Sequence, residues 1–229
     1  MTDTQSTMEV LARDPSSRKR FLKMVGGTGA ASAFAVFLAA CGSDDDNKSS
    51  GPPEVSKPSG SKASGKDVKS DLEIVNYALT LEYLEADFYK QVIESGEVKD
   101  KKVAELAMKI GENEQEHVDA LTATVNQLGG TPAPKPTTKF EDVISGGPDK
   151  ILKTAAEVEN LGASAYLGQA GKIKSPEVLA AALSIHSVEA RHAAALNTLI
   201  GESVTPDGAF AKPASMDEVL KAVKPFIAS

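Results

Sequence analysis

The sequence predicts an all-α protein, a four-helix bundle with a long crossover between helices two and three and a short C-terminal helix. Three observations predict it. Trp is absent and aromatic residues make up only 5% of the chain, while Ala and Leu recur throughout, which favours helices over a sandwich or barrel. Four segments carry apolar residues at alternating spacings of three and four, the mark of one buried helix face. Between the second and third segments, residues 131–147 read TPAPKPTTKFEDVISGG, with three prolines. A structureless connection of that length is uncommon in a compact domain, but a bundle whose middle helices are joined by a crossover requires one.

Residues 1–40 are an address and not part of the fold. Residues 17–23 read SRKRFLK, and the uncharged, Gly- and Ala-rich run that follows ends in Leu38-Ala39-Ala40-Cys41. A basic segment, a short apolar run and small residues before a cut describe an export signal. With three glycines and only moderate hydrophobicity, the run is a poor permanent span. LAAC resembles the bacterial lipobox, which implies lipidation of Cys41 and anchoring of the mature chain to a membrane. SRKRFLK resembles the twin-arginine motif at Ser17, Arg18, Phe21, Leu22 and Lys23, with Lys19 at the second Arg position. Both the twin-arginine and the general secretory routes stay open. The protein is therefore expected outside the cytoplasm, lipid-anchored to the cell envelope.

Cysteine usage and charge narrow the function further. A single Cys excludes a disulfide framework, a Cys-rich zinc site and an iron–sulfur cluster held by this chain alone. Formal net charge is −7. Removal of residues 1–40 takes away five of 25 basic and three of 32 acidic side chains, leaving 20 and 29, or −9. Nucleic acid is not an expected partner. Residues 41–69 are dense in Ser, Gly, Lys, Pro and Asp and read as a disordered tether.

The bundle is expected over residues 70–200. Ser70 and Glu73 form a capping-box pattern, followed by the stripe Leu72, Val75, Leu79, Glu82, Ala86, Tyr89, Ile93, ended by Gly96. The second stripe is Val103, Ala107, Ile110, Glu114, His117, Leu121, Thr124, Leu128, closed by Gly129-Gly130. A third helix starts near Pro148, with Leu152, Ala155, Glu159, Gly162 and Tyr166. The fourth opens at a Ser175 cap followed by Pro176, with Val178, Ala182, Ile185, Glu189, His192, Leu196 and Leu199. Residues 201–229 form a tail whose Ser215-x-x-Glu218 box starts a short helix, expected to pack on the outside of the bundle.

The stripes carry residues that do not belong in a core. Each holds one Glu, and two of them a His three residues later. Burying a carboxylate costs several kcal/mol unless something pairs with it, on the order of magnitude found for buried ions. The stripes offer no Lys or Arg as counter-ion. Two divalent cations would balance four carboxylates, with two imidazoles completing the ligand set. Residues three apart share a helix face, so Glu114 with His117, and Glu189 with His192, are each expected to hold one metal, and Glu82 and Glu159 complete the set from the other helices. One Glu from each of two helices and E-x-x-H from each of the other two is the pattern of di-iron and di-manganese carboxylate centres.

An internal repeat strengthens this reading. LEYLEADFY (Leu81 to Tyr89) aligns with VENLGASAY (Val158 to Tyr166), each with Tyr seven residues after Glu. The step from that Glu to the next E-x-x-H is 32 residues in one half and 30 in the other. Two such halves predict a pseudo-two-fold site. Tyr89 and Tyr166, two turns from a ligand Glu, are expected to hydrogen-bond a carboxylate of the site. Glu85, which the repeat matches with Gly162, and His186, just off its stripe, are further candidates beside the ligands. Glu112, Glu116 and Glu157 point away and are expected in solvent.

On these residues the stretch from about 70 to 200 resembles the ferritin-like superfamily. NYALTLEYLEADFY and SVEARHAAAL are most similar to its bacterial ferritin-like and plant desiccation-related branch. The resemblance implies a di-metal centre, iron or manganese, held by Glu82, Glu114, His117, Glu159, Glu189 and His192. It implies oxidation of Fe(II), or reduction of peroxide or dioxygen, as the leading function. A stress- or desiccation-protection role with a structural metal, and iron storage, are the competing functions. A homodimer is compatible with any of them, whereas a lipid tether fits a closed storage shell poorly.

Overall fold

The computed structural model describes residues 65–228. The expected export signal, Cys41 and most of the expected tether lie outside them. Four long helices form the bundle: α1 (Gly65–Ser95), α2 (Lys101–Gln127), α4 (Pro148–Ala170) and α5 (Pro176–Leu199). A short helix α3 (Glu141–Ile144) interrupts the crossover, and α6 (Met216–Val223) runs into a 3-10 turn, Lys224–Phe226, at the C-terminus. Among the described residues no helix is long and apolar enough to cross a membrane.

α1 starts earlier than the capping box predicts. Residues 65–69, expected in the tether, are helical, and the helix runs through Ser70 and Glu73 without a break. No Pro interrupts this segment, so nothing stops the helix from extending N-terminally. The neighbouring Asp71 does the capping instead, but for another element. Fully buried, it accepts the backbone N–H groups of Lys174 and Ser175 at 2.8 and 2.7 Å where the chain turns into α5.

The remaining boundaries follow their local signals. Asp100 caps α2 by accepting from Lys102 and Val103, Ser175 caps α5 from Val178, and Ser215 and Glu218 close a full capping box on α6. Gly96 and Gly129 take φ of 62° and 77° after α1 and α2, a left-handed conformation that glycine adopts without a Cβ penalty.

α1 packs along α2, and α4 along α5, as two helical hairpins. The hairpins meet with α1 facing α4 and α2 facing α5. Gly130, just past α2, lies against Leu72 near the start of α1. Val92 near the end of α1 borders the same small cavity as Ile151 at the start of α4. The crossover therefore runs the length of the bundle, and every helix is antiparallel to both neighbours.

Contrary to a one-stripe reading, α1 is buried on two faces. Beside the predicted stripe, Tyr77, Leu81, Leu84, Phe88 and Val92 are buried as well, whereas Ile93 is 41% exposed. The second face is covered partly by α4, where Tyr77 and Leu81 border one small cavity with Ala165 and Gln169, and partly by the crossover and the tail. Phe140 packs edge-on to Phe88 and stacks on Phe226, centroids 4.9 and 5.2 Å apart. Val219 and Val223 of α6 join the same cluster.

Polar side chains on the outer edge of α1 fix the crossover. Asn76 binds it through Thr131 O and Ala133 N, and Asp87 accepts from Lys135 and Thr138. Residues 137–139 and 226–228 then pair as a short antiparallel ladder. This explains how so long a connection stays ordered: its backbone groups find partners on α1 and on the tail.

Candidate metal centre

Glu82, Glu114, Glu159 and Glu189 are fully buried, and His117 and His192 nearly so. All six meet between the hairpins. One set of donors from Glu82, Glu114, His117 and Glu189, and a second from Glu114, Glu159, Glu189 and His192, each lie within 4.8 Å of one another. The first set places three carboxylate oxygens around one nitrogen. His117 Nδ1 is 3.2 Å from Glu82 Oε2, 3.1 Å from Glu114 Oε2 and 3.2 Å from Glu189 Oε1. In the second, His192 Nδ1 is 2.9 Å from Glu114 Oε1 and 3.2 Å from Glu159 Oε2.

Each E-x-x-H motif lies together in one donor set, Glu114 with His117 in the first and Glu189 with His192 in the second. Glu114 and Glu189 belong to both sets and sit between them, while Glu82 goes with His117 and Glu159 with His192.

Both tyrosines bond to the site, but across the halves. Tyr89 donates to Glu159 Oε1 at 2.6 Å, and Tyr166 to Glu82 Oε1 at 2.5 Å. Burial, together with the adjoining carboxylate charge, holds both phenols well above their ordinary range, so they stay donors.

The charge balance is strained without a cation. Among the described residues no Lys or Arg pairs with any of the six; only the two imidazoles do. Burial, reinforced by Glu114 and Glu82, pushes Glu189 well above the usual carboxylate range. Burial also carries Glu114 up to about 7, the neighbouring histidines only partly opposing it. Burial would raise Glu82 too, but the His117 charge and the bonds from His117 and Tyr166 outweigh it and hold Glu82 below its ordinary value. Burial would lower both histidines, yet the surrounding carboxylates lift His117 well above its ordinary value and His192 to about 9. Protons held on these groups offset part of the carboxylate charge.

A family model described as "Ferritin-like domain" matches residues 70–202, more than half of the chain and all six of these residues. The chain belongs to the ferritin-like family. No curated protein matches it. Among solved structures, a hypothetical protein, MJ0754, from Methanococcus jannaschii DSM 2661 is similar at 16% identity, over 72% of this chain and 95% of that one, with a TM-score of 0.46.

The donor set of this ferritin-like domain fits a pair of metal ions. Glu189 Oε1 and Oε2 and Glu114 Oε1 are buried without a hydrogen-bond donor; the histidine nitrogens near them lie off the hydrogen-bond direction. Unpaired buried oxygens of this kind are costly unless a cation meets them. Donor separations near 3 Å match ligands about 2.1 Å from a shared ion at right angles, an order-of-magnitude guide from octahedral sites. Carboxylates with imidazole suit iron and manganese alike.

Other residues of the ferritin-like domain settle around this centre. Glu85 is buried, and burial together with Glu189, Glu82 and the other carboxylates raises it well above its usual range. A Cβ on Gly162 would lie 2.8 Å from Glu85 Oε1 and 3.0 Å from Glu189 Oε2. The repeat thus places a glycine where Glu85 needs room. His186 is not part of the centre: its Nδ1 donates to the carbonyl of Ala163 at 3.0 Å, joining α5 to α4. Glu112, Glu116 and Glu157 are exposed, as expected.

Sequence reasoning missed two groups. Asn113 Oδ1 lies 3.4 Å from His192 Nε2, on the outward side of that ring. Asn160 and Asn197 pair between α4 and α5, at 2.9 and 3.3 Å. Neither asparagine at α4–α5 lies on its predicted stripe. Asn113 differs in that it sits immediately before an E-x-x-H, where the repeat has Val188, and that mismatch was readable.

Proposed function

We propose that this chain is a di-metal carboxylate protein of the cell envelope, tethered through a lipid on Cys41, that oxidises Fe(II) or reduces peroxide or dioxygen. The observation that carries the reading is the convergence of three carboxylate oxygens on His117 Nδ1, with further buried oxygens of Glu114 and Glu189 lacking any donor. Two iron or manganese ions held by Glu82, Glu114, His117, Glu159, Glu189 and His192 would supply one-electron redox steps to a small oxidant. The protein's own groups do the rest. Glu114 and Glu189, common to both donor sets, hold the two positions together. Tyr89 and Tyr166 keep Glu159 and Glu82 oriented, and the surrounding apolar side chains exclude bulk water.

The metal-free chain, loaded with iron or manganese and given Fe(II) in air or peroxide, decides the reading. Multiple turnovers support it, and a single stoichiometric uptake with no oxidant consumed overturns the redox role. Separately, Cys41→Ala is expected to leave the membrane fraction. Unchanged partitioning of that variant with membranes would refute the anchoring.

A second reading is favoured by where the centre lies. The six residues fill the seam between two hairpins, so a bound pair of ions would tie the halves together and serve stability alone, as in a stress-protection protein. The stoichiometric outcome above, with a large rise in melting temperature on metal addition, supports that reading.

A further inference from the structure

The two halves of the centre are not chemically equal. His192 and His117 are related by the pseudo-two-fold, and both direct Nδ1 at the carboxylates. Only His192 has an acceptor on its other nitrogen, the Asn113 carbonyl oxygen at 3.4 Å. Asn113 precedes Glu114, and the residue preceding Glu189 is Val188. Val188 thus stands at the repeat position that Asn113 holds in the first half, and a valine side chain accepts no hydrogen bond. Among the described residues His117 Nε2 has no hydrogen-bond partner in the protein.

An acceptor on Nε2 matters in three ways. It keeps the proton on Nε2 when Nδ1 gives up its own to a cation, and it fixes the ring before the cation arrives. It also makes Nδ1 a better donor by polarising the ring. Loss of such a partner typically lowers metal affinity about 10–100-fold.

We infer that Asn113 is a positioning residue that makes the His192 side the tighter of two metal positions, so that the centre fills stepwise, His192 side first. This inference rests on the two-metal reading of the site. It names the order of loading, which the ligand set alone leaves symmetric.

Zn(II), which is redox-inert, added to the metal-free full chain labelled with nitrogen-15 histidine, tests it through the imidazole nitrogen shifts. The expected result is that His192 Nδ1 shifts with the first equivalent and His117 Nδ1 with the second. Asn113→Val should weaken the first step about 10–100-fold and bring the two histidines into one common transition. Val188→Asn should tighten the His117 step, and it serves as an independent arm if Asn113→Val folds poorly by circular dichroism. Simultaneous loading in the parent, His117 loading first, or an Asn113→Val effect spread equally over both steps overturns the inference. Failure of the underlying reading looks different: neither histidine shifts, or only one ion binds.

Discussion

The Tyr89 hydroxyl, carried by the first hairpin, donates at 2.6 Å to Glu159 on the second. Its repeat partner makes the reciprocal bond, Tyr166 to Glu82 at 2.5 Å. Each half therefore supplies the donor that orients the other half's terminal carboxylate. Neither hairpin contains a complete site.

Tyr89→Phe and Tyr166→Phe are expected to act alike. Each leaves a fully buried carboxylate oxygen without its donor, at a cost of about 1.5–3 kcal/mol for a bond to a charged group. Denaturant unfolding of the metal-free variants measures it. Equal losses support the pseudo-two-fold; a loss confined to one variant argues against it.

The metal-free protein should become less stable as pH rises. Glu114 titrates near 7 when folded and near its ordinary 4.5 when unfolded. His192 titrates near 9 when folded and near 6.5 when unfolded. Both bind protons more tightly in the folded state. Their stabilisation is complete below the unfolded values and is lost between about pH 4.5 and 7 for Glu114, and between about 6.5 and 9 for His192. Melting temperatures of metal-free protein should fall from pH 6 to pH 9, and added Mn(II) should restore them most at the alkaline end, where fewer protons must be displaced. A flat profile without metal would count against the buried cluster.

Glu114→Gln combined with Glu189→Gln should abolish binding of a metal pair while leaving the metal-free bundle as stable as the parent, or more so. Shape is kept, and two groups forced to stay protonated become permanently neutral. Thermal unfolding with and without metal checks this: the parent should gain on metal addition and the variant little. A metal-free variant melting far below the parent would mean that these glutamates hold structural hydrogen bonds instead.

Much of this was legible in the residues, and for a physical reason. A Glu in an apolar helical stripe is too costly to be incidental, so Glu82, Glu114, Glu159 and Glu189 declared themselves by position. Caps such as Ser175 and Ser215 are local and read directly. What periodicity does not encode is which partner lies across the bundle. It located Tyr89 and Tyr166 on the right faces, but not their exchange of carboxylates or the shared placement of Glu114 and Glu189. The second buried face of α1 was present as Tyr77, Leu81, Leu84 and Phe88, at spacings of four, three and four. It was obscured because its cover is divided, α4 supplying part and the crossover and tail the rest.

Gly162→Ala should separate site from scaffold. Ala in a helix interior is favoured over Gly by about 1 kcal/mol, yet its Cβ would press on the carboxylate ends of Glu85 and Glu189. Metal-free stability should hold or rise, while metal affinity falls about ten-fold or more, as for disturbed ligand orientation. Adding Glu85→Ala should recover part of the affinity by giving Glu189 space. A calorimetric metal titration of the parent and the two variants measures this, and unchanged affinity in Gly162→Ala would rule out crowding at that point.

The short ladder between residues 137–139 and 226–228 has a bearing on assembly. Because the two hairpins are near-equivalent halves, a hairpin from a second molecule could complete the site as well as the chain's own. The crossover is the sole covalent link between the halves, and a link that swung free would permit such an exchange. Here it is bound to α1 by Asn76 and Asp87 and buckled from outside by the chain's last residues. An exchange of hairpins between two molecules would first have to open this buckle, which keeps the local concentration of the chain's own hairpin high.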